Sequence, residues 1–149
     1  MKTYCVAASK MIEASPERVY QVISDMDEHR NFLPKEFESV VIEKGGIGEG
    51  TVFRLNLNVM GKRSTNVMTI SEPEPGRVII EKDAVAGITT IWTISPGQDD
   101  KHCDLQLVSE IRKKPGFAGL VERILTPYIF RSIYKRELDQ LNAYVKTSE

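Results

Sequence analysis

Asp25, Asp27, Glu28 and His29 bring three carboxylates and a histidine into five consecutive positions, the densest such cluster in the chain. A carboxylate–imidazole pair, once buried, can move protons near neutral pH, because imidazole titrates there. The surrounding pattern argues for a humbler use. The cluster falls at a turn between two short helices, where acids cap helix ends and stay solvated, so its role is read as structural. His102, after Asp99-Asp100-Lys101, opens a strand behind a polar hairpin and is expected to be exposed. No Ser-His-Asp, Cys-His or metal-ligand spacing occurs, so no metal and no cofactor is expected and no catalytic residue is assigned. Gly45-Gly46-Ile47-Gly48-Glu49-Gly50 is rich in glycine but lacks a following Gly-Lys-Ser/Thr and runs into a strand, which argues against a phosphate cradle. Arg112-Lys113-Lys114 and Lys135-Arg136 form a modest basic patch, read as solvated surface.

Composition sets the outer limits. The chain has 149 residues, a net charge of -1 and 41% hydrophobic residues, the profile of one globular domain spanning 1–149. That balance gives no general attraction for nucleic acid or an anionic membrane. No apolar run reaches the roughly 20 residues of a membrane-spanning helix. Met1-Lys2-Thr3-Tyr4 leads directly into folded-type sequence without a signal-peptide apolar region, so a cytoplasmic protein is expected. Cys5 and Cys103 have no metal-motif spacing and read as free, buried thiols.

The elements that must position any site follow from periodicity. Thr3 to Ala14 reads as a strand running into a helix start. Ser15-Pro16-Glu17 supplies a capping hydroxyl, a first-turn proline and a carboxylate at the positive end of the helix dipole. A helix to about Asp25 and a second over Asp27–Phe32 precede Pro34, which disfavours helical geometry at Leu33. Strands then follow at Val40–Glu43, Phe53–Val59, Arg63–Ser71, Val78–Lys82, Ile88–Ile94 and Cys103–Ile111, joined by short turns. Short connections make this an antiparallel meander. Alternation places Phe53, Leu55, Leu57, Val59, Met68, Ile70, Trp92, Ile94, Leu105 and Leu107 on the dry face. Asn66, Thr90 and Ser109 share that face. They either hydrogen-bond within the protein or anchor a polar group of a ligand.

Gly116 to Lys146 is the longest helical stretch. Phe117, Leu120, Val121, Ile124 and Tyr128 form one apolar stripe, and Phe130, Tyr134, Leu138, Leu141 and Val145 form another, displaced by roughly 120° around Thr126-Pro127. Either one helix kinks at Pro127, or two helices meet there with Thr126 as cap.

This order resembles the START-like helix-grip (SRPBCC) superfamily, through Ile12–Tyr20, Phe32-Leu33-Pro34, Gly48-Glu49-Gly50, Ile70–Arg77, Trp92–Pro96 and the terminal helix. The Gly48/Gly50 turn and long helix look most like its polyketide cyclase/dehydratase-like branch. Ser24-Asp25, Phe32-Leu33-Pro34 and Glu38-Ser39-Val40 also look like the coenzyme Q-binding branch. The resemblance implies an α+β helix-grip fold: a curved antiparallel sheet of about seven strands, in the order β-α-α-β6-α, around the C-terminal helix. It implies an apolar cavity between sheet and helix for a hydrophobic small-molecule ligand such as a lipid, quinone or aromatic compound. The residues expected to line it are Phe32, Phe53, Leu55, Leu57, Asn66, Met68, Thr90, Trp92, Leu105, Ser109, Ile124 and Tyr128. A non-catalytic carrier, sensor or chaperone is the favoured reading. A cyclase/dehydratase-like enzyme using the same cavity is the alternative.

Overall fold

The computed structural model describes residues 2–147, and side chains for all of these except Phe117 and Thr147. Strand β1 (Thr3–Ile12) leads into helices α1 (Pro16–Ser24) and α2 (Met26–His29). Six strands follow: β2 (Phe37–Lys44), β3 (Val52–Val59), β4 (Lys62–Glu74), β5 (Val78–Asp83), β6 (Ile88–Pro96) and β7 (Cys103–Arg112). Helix α3 (Gly116–Thr147) ends the described chain. The seven strands form one antiparallel sheet in the order β1-β7-β6-β5-β4-β3-β2. Strands β2 to β7 are consecutive hairpin neighbours, and β1 pairs with β7 across from them. Helices α1 and α2 make the single crossover between the two edges.

Local chemistry explains most boundaries. Ser15 Oγ accepts the Arg18 backbone N–H at 3.2 Å, and Pro16 occupies the first turn of α1, where it removes no helical hydrogen bond. Asp25 caps α2 by accepting the Asp27 N–H at 3.0 Å, a structural use of that acid. Register shifts at Phe37/Ser39, Ile42/Lys44 and Ser71/Glu74 insert extra residues into β2 and β4 and bend the sheet. The glycine loop is a brace: its Gly46 carbonyl accepts from Met26 N–H at 2.9 Å, and its Gly48 N–H donates to the Ser24 carbonyl at 3.0 Å. Gly48 has φ of 67°, a conformation that favours glycine, and a Cβ there would lie 2.3 Å from Glu72 Oε1 and displace that carboxylate. Glu72 in turn accepts from the Tyr20 hydroxyl and the Glu49 N–H. His102 is half-buried and paired through Nδ1 with Asp99 Oδ1 at 2.6 Å, which corrects the expectation of an exposed ring. Cys103 is buried as expected, but Cys5 is exposed; both are free.

Helix α3 is continuous through Pro127, so the two-helix reading is excluded. Continuity also sets its rotational phase. Ile133, Tyr134, Glu137, Leu138, Leu141 and Val145 are buried against the sheet. Stepping back from Tyr134 four residues at a time reaches Phe130, Thr126 and Glu122, which carry the inner face toward the helix start. Ile124 and Tyr128 therefore lie on the outer side, 64% and 78% exposed, and not in the interior. Leu120, Val121 and Leu125 are exposed with them. The expected place of Phe117 on that stripe lies outside the described side chains.

Candidate functional site: a cavity between sheet and helix

A cavity of about 690 Å³ separates the concave face of the sheet from α3. Strands β3, β4 and β6 bring Phe53, Leu55, Leu57, Asn66, Met68, Thr90 and Trp92 to its wall, together with Leu107 and Ile111 of β7. Helix α3 closes it with Ile129, Phe130 and Tyr134, and α2 contributes Met26 and His29. The hairpin tips carrying Met60 and Val85 form its exposed rim. Seven of the twelve residues expected from sequence thus meet at one surface. The other five stand elsewhere. Phe32 is buried in the core, its ring stacked 4.8 Å from that of His29, which lines the cavity where Phe32 does not. Leu105 lies deep in the core cluster with Ile12, Ile94 and Cys103. Ser109 is on the right face but sealed behind two hydroxyls. Ile124 and Tyr128 face out because the unbroken helix carries them there.

The small polar groups of the sheet are satisfied internally. Thr90 and Ser109, directly paired across β6 and β7, share a hydrogen bond of 2.7 Å. Ser109 Oγ also bonds the Tyr134 hydroxyl at 2.6 Å. Burial pushes the Tyr134 phenol well up, so it stays protonated. Asn66 donates to Asp83 Oδ2 at 3.3 Å. Asp83 also accepts backbone N–H groups from Val67, Val85 and Ala86 at 3.0, 3.1 and 3.0 Å. Burial would raise its pKa, but these donors outweigh burial and hold it below the ordinary carboxylate value.

Two residues earlier on the same face of β5, Glu81 has no such help. It is 6% exposed, lines the cavity, and its Oε2 has no hydrogen-bond partner. Burial raises its pKa to about 7, only partly countered by the nearby indole of Trp92. That indole N–H, on a side chain 1% exposed, makes no hydrogen bond of its own. Glu137 of α3 is 3% exposed and also lines the cavity; burial first, and then the charge of Glu81, raise it well above the usual range. His29 completes the group. Its Nδ1 lies 2.8 Å from the Ile23 carbonyl and so carries the proton, leaving Nε2 as an acceptor 3.9 Å from Glu137 Oε2. Burial lowers the His29 pKa to about 4, and its ring stands edge-on to Trp92 at 5.5 Å.

His29 was thus misplaced by sequence reasoning, which set the whole acidic cluster at a solvated turn. Its neighbours do behave as caps and surface pairs: Glu28 binds Arg18 at 3.0 Å and accepts from Tyr144. Glu81 and Glu137 were missed, although pattern exposes both. Ile79, Glu81 and Asp83 alternate onto the dry face of β5, and Glu137 sits three residues after Tyr134 on the buried stripe of α3. Among the described residues no cluster of three His, Cys, Asp or Glu side chains is placed to hold a metal ion.

A curved seven-stranded antiparallel sheet gripping one long C-terminal helix is the helix-grip architecture of the START-like, SRPBCC superfamily. Within it, the chain belongs to the family described as polyketide cyclase/dehydrase and lipid transport, whose model matches residues 3–146. Solved structures share the fold at low identity. The KanY protein, solved in solution, is 24% identical with a TM-score of 0.84, over 98% of this chain and 99% of that one. The Zhui aromatase/cyclase from Streptomyces sp. R1128 is 16% identical with a TM-score of 0.78, over 97% and 94%. A START superfamily protein from Mycobacterium smegmatis is 14% identical with a TM-score of 0.73, over 99% and 100%. No curated protein sequence matches the chain.

Proposed function

We propose that this protein binds a hydrophobic small molecule in the cavity between its sheet and α3, acting as a carrier, sensor or chaperone. The observation that carries this reading is the cavity's size and wall together. Its roughly 690 Å³ falls within the ~300–1,000 Å³ range of small-molecule sites, and its wall is chiefly large apolar side chains. The family description, which joins cyclase and lipid-transport activities, supports a ligand of lipid, quinone or aromatic type. The test is native mass spectrometry of protein purified from its own cells, followed by titration of the extracted compound. Trp92, the only tryptophan, lines the cavity and reports occupancy through its fluorescence. Binding by calorimetry with no change in Trp92 emission would place the ligand elsewhere.

A cyclase/dehydratase-like enzyme is the second reading, and Glu81 and Glu137 are what favours it. A buried carboxyl group with a pKa near neutrality suits general acid–base work. The distinguishing result is turnover lost in Glu81→Gln while substrate affinity is kept, the mark of an interaction made chiefly in the transition state. Two free thiols suit a reducing compartment such as the cytoplasm.

A further inference from the structure

Outside the ion pairs of the surface, the most unusual polar feature of the molecule is the group of acceptors inside its apolar cavity. Glu81 reaches in from the sheet and Glu137 from α3, with the Nε2 lone pair of His29 beside Glu137 at 3.9 Å. Among the described residues of the cavity wall the cationic side chains are Lys62, Arg112 and Lys114, from the start of β4, the end of β7 and the loop before α3, and Lys62 and Lys114 are exposed. Glu81 Oε2 and one further polar atom, Trp92 Nε1, belong to side chains more than nine-tenths buried, line the same cavity and make no hydrogen bond. Burial without partners costs such groups their hydrogen bonds and holds the carboxyls in the neutral form, and a cation between them would reverse both effects. The compensation missing from the chain can come from a ligand.

Resting on the binding function proposed above, we infer that the ligand of this cavity is an apolar molecule bearing a protonated amine, seated between Glu81 and Glu137. An ammonium group has three N–H donors and no acceptor. The cavity offers three acceptor groups, the two carboxyls and the His29 Nε2, without a competing internal cation. The indole N–H of Trp92 stands beside Glu81 and is the donor that an ionised Glu81 would draw. The rings of Trp92, Phe53 and Tyr134 in the wall suit a cation and its apolar body alike. An ammonium head favours the ionised form of these carboxyls and pairs with it, whereas a fatty-acid carboxylate would repel that form, so the site favours the amine.

The test compares decylamine, decanol and decanoate, three chains of one length with different heads, by calorimetry on the full chain and on the Glu81→Gln, Glu137→Gln double variant. These substitutions keep side-chain size and remove the negative charge, putting an amide N–H2 in place of one carboxyl oxygen. Decylamine is expected to bind wild type at least about tenfold more tightly than decanol, and decanoate most weakly. In the double variant the amine should fall to the level of decanol, with decanol itself unchanged. Decanol or decanoate binding as well as decylamine, or an amine preference that survives in the double variant, overturns the inference while leaving hydrophobic binding intact. Failure of all three to bind overturns the binding function as well.

Discussion

Glu81 and Asp83 sit two positions apart on one face of one strand, yet their environments send them in opposite directions. Asp83 receives three backbone N–H donors and the Asn66 amide, while Glu81 receives none at Oε2. The consequence is a defined pH dependence of stability. With a folded pKa of about 7 against an ordinary 4.5, Glu81 keeps a proton that the unfolded chain releases, so its contribution declines as pH rises through that window. Glu81→Gln should therefore be nearly neutral at pH ~4 and gain on wild type with rising pH, by up to about 3 kcal/mol near pH 8. Urea denaturation across that range measures it; a difference that does not grow with pH would show a solvated carboxyl. His29 works with the opposite sign. Its folded pKa of about 4, against 6.5, gives stability that is present above 6.5 and lost as pH falls toward 4. At this scale the sequence was only partly legible. Alternation places Glu81 inside, but nothing in Val78–Asp83 distinguishes a satisfied buried acid from an orphaned one. That distinction rests on donors from β4 and from the turn after β5, which come together only in the fold.

Helix α3 shows how an element can be recognised in full and still be turned the wrong way. Hydrophobicity points Ile124 and Tyr128 inward, but phase continuity from the packed C-terminal half gives that side to Glu122, Thr126 and Phe130. Apolar content is a reliable guide to burial only where a helix is fully covered. The first half of α3 spans a cavity, so little packing disciplines its outer face. Tyr128→Asp should accordingly change stability by less than about 0.5 kcal/mol in thermal or urea unfolding. A loss above about 2 kcal/mol would mean that Tyr128 is packed. Pro127 is different, because it lies within an unbroken helix and leaves the Arg123 carbonyl without its helical donor. Pro127→Ala should stabilise the protein by about 1–3 kcal/mol, read by urea denaturation, since an interior proline costs that order of energy. No gain would show that water or a neighbouring group already satisfies the carbonyl. The strands and α1 were legible for the converse reason: alternation over Phe53–Val59 and Cys103–Ile111, and the Ser15-Pro16 cap, are local signals with one structural solution.

At the scale of the molecule, the core and the cavity divide the same concave sheet. The β1–β7 side is filled by Leu138, Leu141 and Val145 of α3 with Leu105, Ile12 and Val6, while the β3–β6 side is left open. An open volume of about 690 Å³ makes the folded state one that hydrostatic pressure works against, because unfolding eliminates part of the internal void. A ligand that fills the volume changes the balance twice over. It adds the usual mass-action stabilisation, about 2.7 kcal/mol at a hundredfold excess over Kd. It also shrinks the volume lost on unfolding, so the slope of stability against pressure should flatten as well as shift. High-pressure fluorescence of Trp92, with and without ligand, separates the two: a parallel shift with unchanged slope would mean binding outside the void. The cavity between sheet and α3 is thus also a volumetric property of the protein, and the volume change of unfolding reports whether a ligand occupies it even before that ligand has been identified.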